Sequence, residues 1–366
     1  MNRPLRIGVL GLTHDHVWEH VADARTNPDT RLIAVADPHQ ALLGRAESEF
    51  HCRPYSNPET MLNSEELDAV YIYSDNAAGP ELTEMAAARR LHVLVEKPMA
   101  ADLAGADRMV AAARAASVRL LVNWPFVWWP QMQHALRLAG EGAIGDIWQV
   151  RYRAAHAGPR ELGCSEFFCE WLYDPKRNGR GGAFMDYCCY GALLARLVLG
   201  MPSQVMGVAK RLVEQDIDVE DNGLLVMTYP HAIAVSEGSW TQIGKLSAYT
   251  TMIYGTTGTL MLEPRGGGRL LLATAEQPEG VQLDVPVLPT HLCNATAHFV
   301  HCIRTGEVSH PMCDPNICRD TQAILEGGID AAGTGASVSI TPASLESSNN
   351  IPEGSSQSPD SSKPSE

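Results

Sequence analysis

The first segment able to do chemistry follows the opening apolar run: Ile7-Gly8-Val9-Leu10-Gly11-Leu12-Thr13-His14-Asp15-His16. A strand, a glycine turn and a helix together aim backbone N–H groups and a helix N-terminus at a pyrophosphate. A regular dinucleotide fingerprint has glycine at the positions held here by Gly11, Thr13 and His16. Gly11 permits the tight turn. Thr13 puts a β-branched side chain where the backbone normally passes closest to the phosphates, and His16 costs close helix–strand packing. Asp37 ends the second apolar run, where a carboxylate accepts the two ribose hydroxyls of an adenosine half. The bland alternative makes Asp37 a turn residue before Pro38. No arginine follows it, only Pro38-His39-Gln40, so NAD is expected over NADP, with NADP possible. His14 and His16 also form an HxH pair of the kind that binds metal in barrel hydrolases. That chemistry needs further strand-end ligands, and His92, His134 and His156 do not fall in a barrel pattern. No metal is expected.

A second cluster lies far along the chain. Asp186 and Tyr190 stand at i and i+4 on an apolar segment expected to be helical over 183–199, so they share one face. A free phenol has a pKa near 10, and a nearby ammonium such as that of Lys97, or a positive nicotinamide, would favour phenolate. Taken alone, Tyr190 is equally a core aromatic and Asp186 an early-helix charge set against the dipole. Trp124, Trp128, Trp129, Phe167, Phe168, Trp171 and Tyr173 occupy the surrounding segments. Such rings suit the C–H faces of a sugar or the packing of a domain interface.

These side chains need two kinds of scaffold. Apolar runs at 5–10, 31–36, 68–73, 92–95 and 119–122 alternate with helical segments at 17–25, 80–90 and 103–116, the grammar of a doubly wound parallel sheet. Beyond Asn123 a Trp- and Pro-rich stretch leads into a helix at 131–140. Strand-like pieces then follow at 147–154, 205–213, 223–229, 232–240, 250–255 and 258–262, which suggests an α+β unit with a large, mainly antiparallel open sheet. The expected organisation is a Rossmann dinucleotide-binding domain over 1–122, a substrate-binding and oligomerisation domain over 123–341, and a disordered Ser/Pro-rich tail over 342–366. A length of 366 residues supports two domains. The net charge of −15 argues against nucleic acid and against an anionic membrane surface. No signal-peptide core or long apolar run is present, and nine cysteines without CxxC spacing read as small core residues in a reducing compartment. A cytoplasmic protein is expected.

Val95-Glu96-Lys97-Pro98 closes the fourth of these runs and resembles the Glu-Lys-Pro signature of the glucose–fructose oxidoreductase/inositol dehydrogenase (Gfo/Idh/MocA) family. The likeness extends over roughly 5–340. It includes Asp68-Ala69-Val70 with Ser74-Asp75-Asn76, Gly142-Ala143-Ile144-Gly145-Asp146, Gly181-Gly182-Ala183-Phe184-Met185-Asp186, and His298-Phe299-Val300 with Thr305-Gly306. The resemblance implies that Lys97 is the lysine beside the nicotinamide and the reacting hydroxyl, with Pro98 often preceded by a cis bond. It also implies that Asp186 and Tyr190 are the Asp-x-x-x-His/Tyr pair with Tyr190 as acid/base, similar to the dihydrodiol dehydrogenase branch. Two fingerprint glycines are missing, Val127 replaces a common arginine, and Gly79 replaces a common histidine.

The expected catalytic residues are therefore Lys97, Tyr190 and Asp186. The cofactor residues are Gly11, Thr13, His14, His16, Asp37, Ser74, Asn76, Glu96 and Lys97. The substrate residues are Trp124, Trp128, Asp186 and Tyr190. The expected activity is NAD(P)-dependent hydride transfer to or from a sugar, sugar derivative or inositol, by a homodimer or homotetramer. Two alternatives use the same fold: an NAD-dependent glycosidase that oxidises its sugar transiently, and a non-catalytic sugar/NAD-sensing regulator. Retention of Lys97, Asp186 and Tyr190 argues against a sensor, which needs no proton relay.

Overall fold

A computed structural model of the protein describes residues 3–264 and 267–340. The tail expected over 342–366 lies outside the described residues. The first half runs β1 (Leu5–Leu10), α1 (Val17–Thr26), β2 (Thr30–Ala36), α2 (Gln40–Phe50), β3 (Arg53–Tyr55), α3 (Pro58–Ser64), β4 (Ala69–Ile72), α4 (Gly79–Ala88), β5 (His92–Glu96), α5 (Leu103–Ala116) and β6 (Leu120–Asn123). All six strands are parallel, in the order β3-β2-β1-β4-β5-β6. The chain reverses direction across the sheet between β1 and β4, so a crevice opens at their carboxyl ends, where α/β sheets bind ligands. Continuous Val, Ile, Leu and Ala in these strands fits burial on both faces: Ile7, Val9, Val35, Val70, Val93 and Val122 are fully buried.

The second half runs α6 (Pro130–Gly140), β7 (Ile147–Ala155), α7 (Glu166–Leu172), α8 (Pro175–Asn178), a π-helical turn (Phe184–Cys188) and α9 (Cys189–Leu199). It continues with β8 (Gln204–Lys210), β9 (Asn222–Thr228), β10 (Ile233–Ser239), β11 (Tyr249–Gly255), β12 (Gly258–Leu262), β13 (Leu270–Thr274), β14 (Val281–Gln282), α10 (Ala295–Thr305), α11 (Pro315–Thr334) and β15 (Val338–Ser339). Nine strands form one sheet, β14-β13-β12-β11-β7-β10-β9-β8-β15. Every pair is antiparallel except β7 with β10, which lie parallel because α7, α8, α9 and two strands separate them in the chain. The segment expected as one helix over 183–199 is divided: a π turn carries Asp186, and only Cys189–Leu199 is α-helical.

Helices cover one face of this sheet. Gly191 of α9 sits so close to β10 that a Cβ there would meet Ser236 Oγ at 2.2 Å. The alternate residues point away from the helices. Met206, Val226, Val235, Arg151, Met252, Met261 and Leu271 form a single row across seven strands. Because a strand's side chains alternate, that row belongs to the uncovered face.

Gly11 shows how tightly the two central strands approach at the crevice. Its φ is +84°, and a Cβ would lie 2.7 Å from the Ser74 amide nitrogen. Left-handed backbone costs a non-glycine residue about 1–2 kcal/mol before any clash. Gly11→Ala is therefore expected to lower the denaturation midpoint by the equivalent of at least about 2 kcal/mol. An unchanged midpoint in chemical denaturation would show that the turn relaxes freely.

Candidate active site

Lys97 follows β5 directly and points across to the second half of the chain. Its Nζ donates to Asp186 Oδ1 at 2.7 Å and to the Asp186 carbonyl at 3.1 Å. The Lys97 side chain is 4% exposed and that of Asp186 13%, so this is a charge pair held away from bulk water. Burial works to lower the lysine pKa, but the Asp186 carboxylate outweighs it and the ammonium is stabilised. The Asp186 carbonyl also accepts from the Cys189 thiol. A π turn turns carbonyls out of the regular helical ladder, which suits this double acceptance. The Lys97–Pro98 peptide is cis.

Tyr190 lies in the first turn of α9. Lys97 Nζ stands 4.9 Å from the centre of its ring, over the face and not at the hydroxyl. Tyr152 stacks on the ring at 5.5 Å, while Trp124 and Phe126 meet it edge-on at 5.5 and 5.1 Å. This aromatic box, with Cys189 and Asp186 close by, pushes the Tyr190 pKa well above that of free tyrosine, burial being the largest cause. The expectation of a lowered value is thus reversed. The lysine solvates the π face, and its charge is largely spent on Asp186.

Above this box lies a cavity of about 590 Å³. Aromatic walls come from Trp128, Trp129, Tyr152, Tyr187, Tyr190 and Tyr249, and polar groups from His16, Glu19, His20, Asp23 and Asn294. Of the expected substrate residues, Trp128 and Tyr190 line it. Trp124 does not: it is 1% exposed, its indole nitrogen donates to Cys318 Sγ, and its role is to back Tyr190. Asp186 faces Lys97 and not the cavity. Phe167, Phe168 and Trp171 are also absent from the lining, because α7 packs on the nucleotide turn. Trp171 Nε1 donates to the Thr13 carbonyl at 3.3 Å, Phe168 meets the His14 ring at 4.8 Å, and Phe167 meets His39 at 5.1 Å.

The nucleotide residues converge at the carboxyl ends of β1, β2, β4 and β5. Asp37 is 1% exposed and already engaged: Oδ2 accepts from the Leu12 amide at 2.7 Å, and Oδ1 from the His39 amide at 2.8 Å. The His39 ring also reaches Oδ1 at 2.8 Å. Ribose hydroxyls would take Oδ1 from that ring, which is one-third exposed. Ser74 and Asn76 end the β4 loop, with Asn76 Nδ2 donating to Asn178 Oδ1 at 2.8 Å. Thr13 and His14 are buried beneath α7, which is pinned by Ser165 to both carboxylate oxygens of Asp15 at 2.6 and 2.7 Å. Glu96 ends β5 beside His16. The glycine turn without room for a Cβ, the strand-end carboxylate and Lys97 all suit a nicotinamide dinucleotide. The burial of Thr13 and His14 departs from an open phosphate cradle.

Two family profiles match in succession. Residues 5–124 match an oxidoreductase family with an NAD-binding Rossmann fold, and residues 132–261 match the GFO/IDH/MocA C-terminal domain. The chain belongs to the Gfo/Idh/MocA oxidoreductase family. Among curated proteins, the dTDP-3,4-didehydro-2,6-dideoxy-alpha-D-glucose 3-reductase of Streptomyces antibioticus is 27% identical over 82% of this chain and 89% of that protein. The D-apiose dehydrogenase of Paraburkholderia graminis is 28% identical over 91% and 88%. Among solved structures, an inositol dehydrogenase homolog from Azotobacter vinelandii complexed with NAD+ superposes with a TM-score of 0.81 at 19% identity, covering 93% of this chain and 98% of that one. As a Gfo/Idh/MocA member the chain is an NAD(P)-dependent oxidoreductase of the dehydrogenase/reductase kind, with its dinucleotide domain first and its mainly antiparallel sheet second.

Sequence reasoning missed a residue that holds the π turn in place. Glu220, just before β9, accepts at Oε1 from the Gly182 amide at 2.6 Å and the Phe184 amide at 2.7 Å. Its own carbonyl accepts from the Ala183 amide at 3.1 Å. Three consecutive amides ahead of Asp186 are thereby fixed by one residue. The signal in the sequence is slight: an acidic pair, Glu220-Asp221, before a strand. Burial raises the Glu220 pKa to about 7, with the amide bonds pulling the other way. A carboxyl raised on folding binds more protons in the native state between pH 4.5 and 7, so stability falls as pH rises through that window. Glu220→Gln keeps an acceptor oxygen and is expected to remove this slope from thermal-unfolding profiles. Glu220→Ala, which orphans two amides, is expected to cost about 2–3 kcal/mol near pH 4.5 and less as the pH rises through the window, because it removes the same slope. A slope that survives Glu220→Gln would assign the titration elsewhere.

Proposed function

We propose that the chain moves hydride between NAD and a hydroxyl or keto carbon of a sugar, sugar derivative or inositol held in the aromatic cavity. The reading is carried by one juxtaposition: an ammonium anchored on Asp186 lies against the Tyr190 ring, which itself lines a ring-walled cavity beside the Rossmann crevice. The bound nicotinamide supplies or takes the hydride. Trp128, Trp129 and Tyr249 offer flat apolar faces to sugar C–H bonds, and Glu19, Asp23 and Asn294 accept or donate at its hydroxyls. Lys97 orients the reacting oxygen, and Asp186 keeps Lys97 in place and charged. Tyr190 holds its proton at neutral pH and gives it to the oxygen formed on reduction; in oxidation it must first lose that proton. Asp37 selects NAD because a 2′-phosphate would meet its carboxylate.

Family kinship and the apolar row Met206-Val226-Val235 on the uncovered sheet face support a homodimer or homotetramer built through that face. Rossmann and substrate domains meet near residue 122 in this reading. Nine unpaired cysteines support a reducing, cytoplasmic location. No helix among the described residues is long and apolar enough to cross a membrane.

Tyr190→Phe is expected to lower turnover about 10²–10⁴-fold with little loss of stability. Lys97→Ala is expected to lower turnover as much without abolishing NAD binding, though at a cost in stability from the bared Asp186 carboxylate, and the double variant to turn over scarcely worse than either. Near-normal turnover of Tyr190→Phe on the sugar that the wild type reduces or oxidises would remove Tyr190 from proton transfer. Sugar oxidation is expected to rise with pH into the alkaline range, since Tyr190 must deprotonate to act as base, while reduction is favoured at neutral pH. Titrations with NAD and NADP check the cofactor assignment: equal or tighter NADP binding would overturn the role of Asp37. A strict monomer in light scattering at micromolar concentration would remove the assembly.

A further inference from the structure

The HxH pair of the first turn is only partly absorbed by the nucleotide crevice. His14 and His16 leave the end of β1 two residues apart, and Glu96 ends β5. In the sheet β4 lies between those strands, so the carboxylate comes from a different part of the sheet than the imidazoles. One ligand atom from each residue lies within 4.8 Å of the other two. Barrel hydrolases draw their remaining ligands from barrel strands, and this fold has no barrel. Here the third ligand comes from the strand that delivers Lys97.

We propose that His14, His16 and Glu96 form a binding site for a divalent cation of the borderline-soft class typified by zinc. Two imidazoles and one carboxylate are a ligand set suited to that class, whereas magnesium and calcium select oxygen. With bonds of about 2.0–2.2 Å, tetrahedral ligand atoms stand about 3.3–3.5 Å apart. His16 Nδ1 and Glu96 Oε1 are already 3.2 Å apart. Closing the rest requires a movement of about 1 Å, and the His16 side chain, 39% exposed, is free to make it. The 3.3 Å approach of the His16 amide to His14 Nδ1 is long enough to yield.

The surroundings are organised as ligand supports are. Glu96 Oε2 accepts from Asn123 Nδ2 at 2.7 Å, and Asn123 Oδ1 accepts in turn from Trp128 Nε1 at 3.0 Å. Asn123 Nδ2 also lies 3.0 Å from His20 Nε2. Phe168 and Trp171 fix the His14 ring. A carboxylate oriented through its second oxygen and an imidazole clamped by rings form the outer shell that a metal site needs. A separate observation points the same way. His20 Nδ1 and Tyr73 Oη are buried without a hydrogen-bond partner among the described residues, and the two rings stack 5.7 Å apart next to His14 and His16. Water carried by a bound ion would satisfy such atoms.

Three protein ligands leave coordination positions open, and His16 lines the aromatic cavity. The open side therefore faces the cavity, as in sites that bind a substrate oxygen and not in closed structural sites. A cation there would take an oxygen of the bound sugar as a further ligand and polarise it. The site rests on the placement of these three side chains, so it stands or falls apart from the oxidoreductase reading.

The full chain, stripped with a chelator under reducing conditions and titrated with Co²⁺ alone, tests it without sugar or dinucleotide. One equivalent is expected to bind with the visible absorption of a low-coordinate nitrogen/oxygen site and without the near-ultraviolet band of thiolate ligands. Zn²⁺ is expected to displace it. His16→Ala, at a half-buried position that tolerates truncation, is expected to weaken Co²⁺ at least tenfold while its thermal unfolding stays near wild type; Glu96→Gln is expected to weaken it as much. Absence of stoichiometric Co²⁺ binding, affinity unchanged in folded His16→Ala, or a thiolate band would each overturn the proposal.

Discussion

A buried ammonium is tolerable only with a counter-charge, and the Lys97–Asp186 pair is the constraint around which the two halves of this protein are arranged. Lys97 comes from the parallel sheet and Asp186 from the π turn beneath the antiparallel one. Removing either partner leaves a bare charge inside the protein, at a cost of about 3–5 kcal/mol. The pair therefore sets the distance between the halves, and the surrounding features follow. Glu220 fixes the amides ahead of Asp186, Gly191 lets α9 lie flat on β10, and the Tyr190 ring occupies the space that the lysine stem leaves. Burial keeps the proton on Tyr190, and a lysine charge already satisfied by a carboxylate does little to oppose it.

The dinucleotide half was largely legible because its signals are local. Apolar strand runs, the Gly11 turn and the carboxylate at Asp37 each carry their meaning within a few residues. Short elements were not legible: β3 spans only Arg53–Tyr55, and its pairing with β2 depends on a partner outside its own sequence. In the second half the strands alternate clearly, but α7 carries no such local signal, because its apolar residues, Phe167, Phe168 and Trp171, are addressed to the nucleotide crevice over 100 residues earlier. The π turn is invisible in periodicity, since it is one widened turn of an otherwise regular apolar helix.

Site residues divide along the same line. Lys97, Asp186 and Tyr190 are brought together, as the family resemblance implies, but the sense of the electrostatics depends on burial, which a sequence does not state. Trp124 and Trp128, four residues apart, look interchangeable as sugar platforms. The 3-10 turn between them sends Trp128 into the cavity and Trp124 into the core. Glu220 escaped notice because its function is exercised on backbone amides, which have no residue type to mark them.

The contacts of α11 bear on how the chain is made. α11 packs on β8, yet Glu326 in its middle accepts from the Leu103 amide at the start of α5, and Arg319 pairs with Asp107 of α5. A ribosome releases the dinucleotide half long before either partner exists, and Lys97 emerges well ahead of Asp186. During synthesis the early half thus waits with an unmatched ammonium and with the Leu103 amide and Asp107 of α5 still lacking their α11 partners, until the second half follows it. The order of translation thus makes the joint between the two halves later than the first half itself.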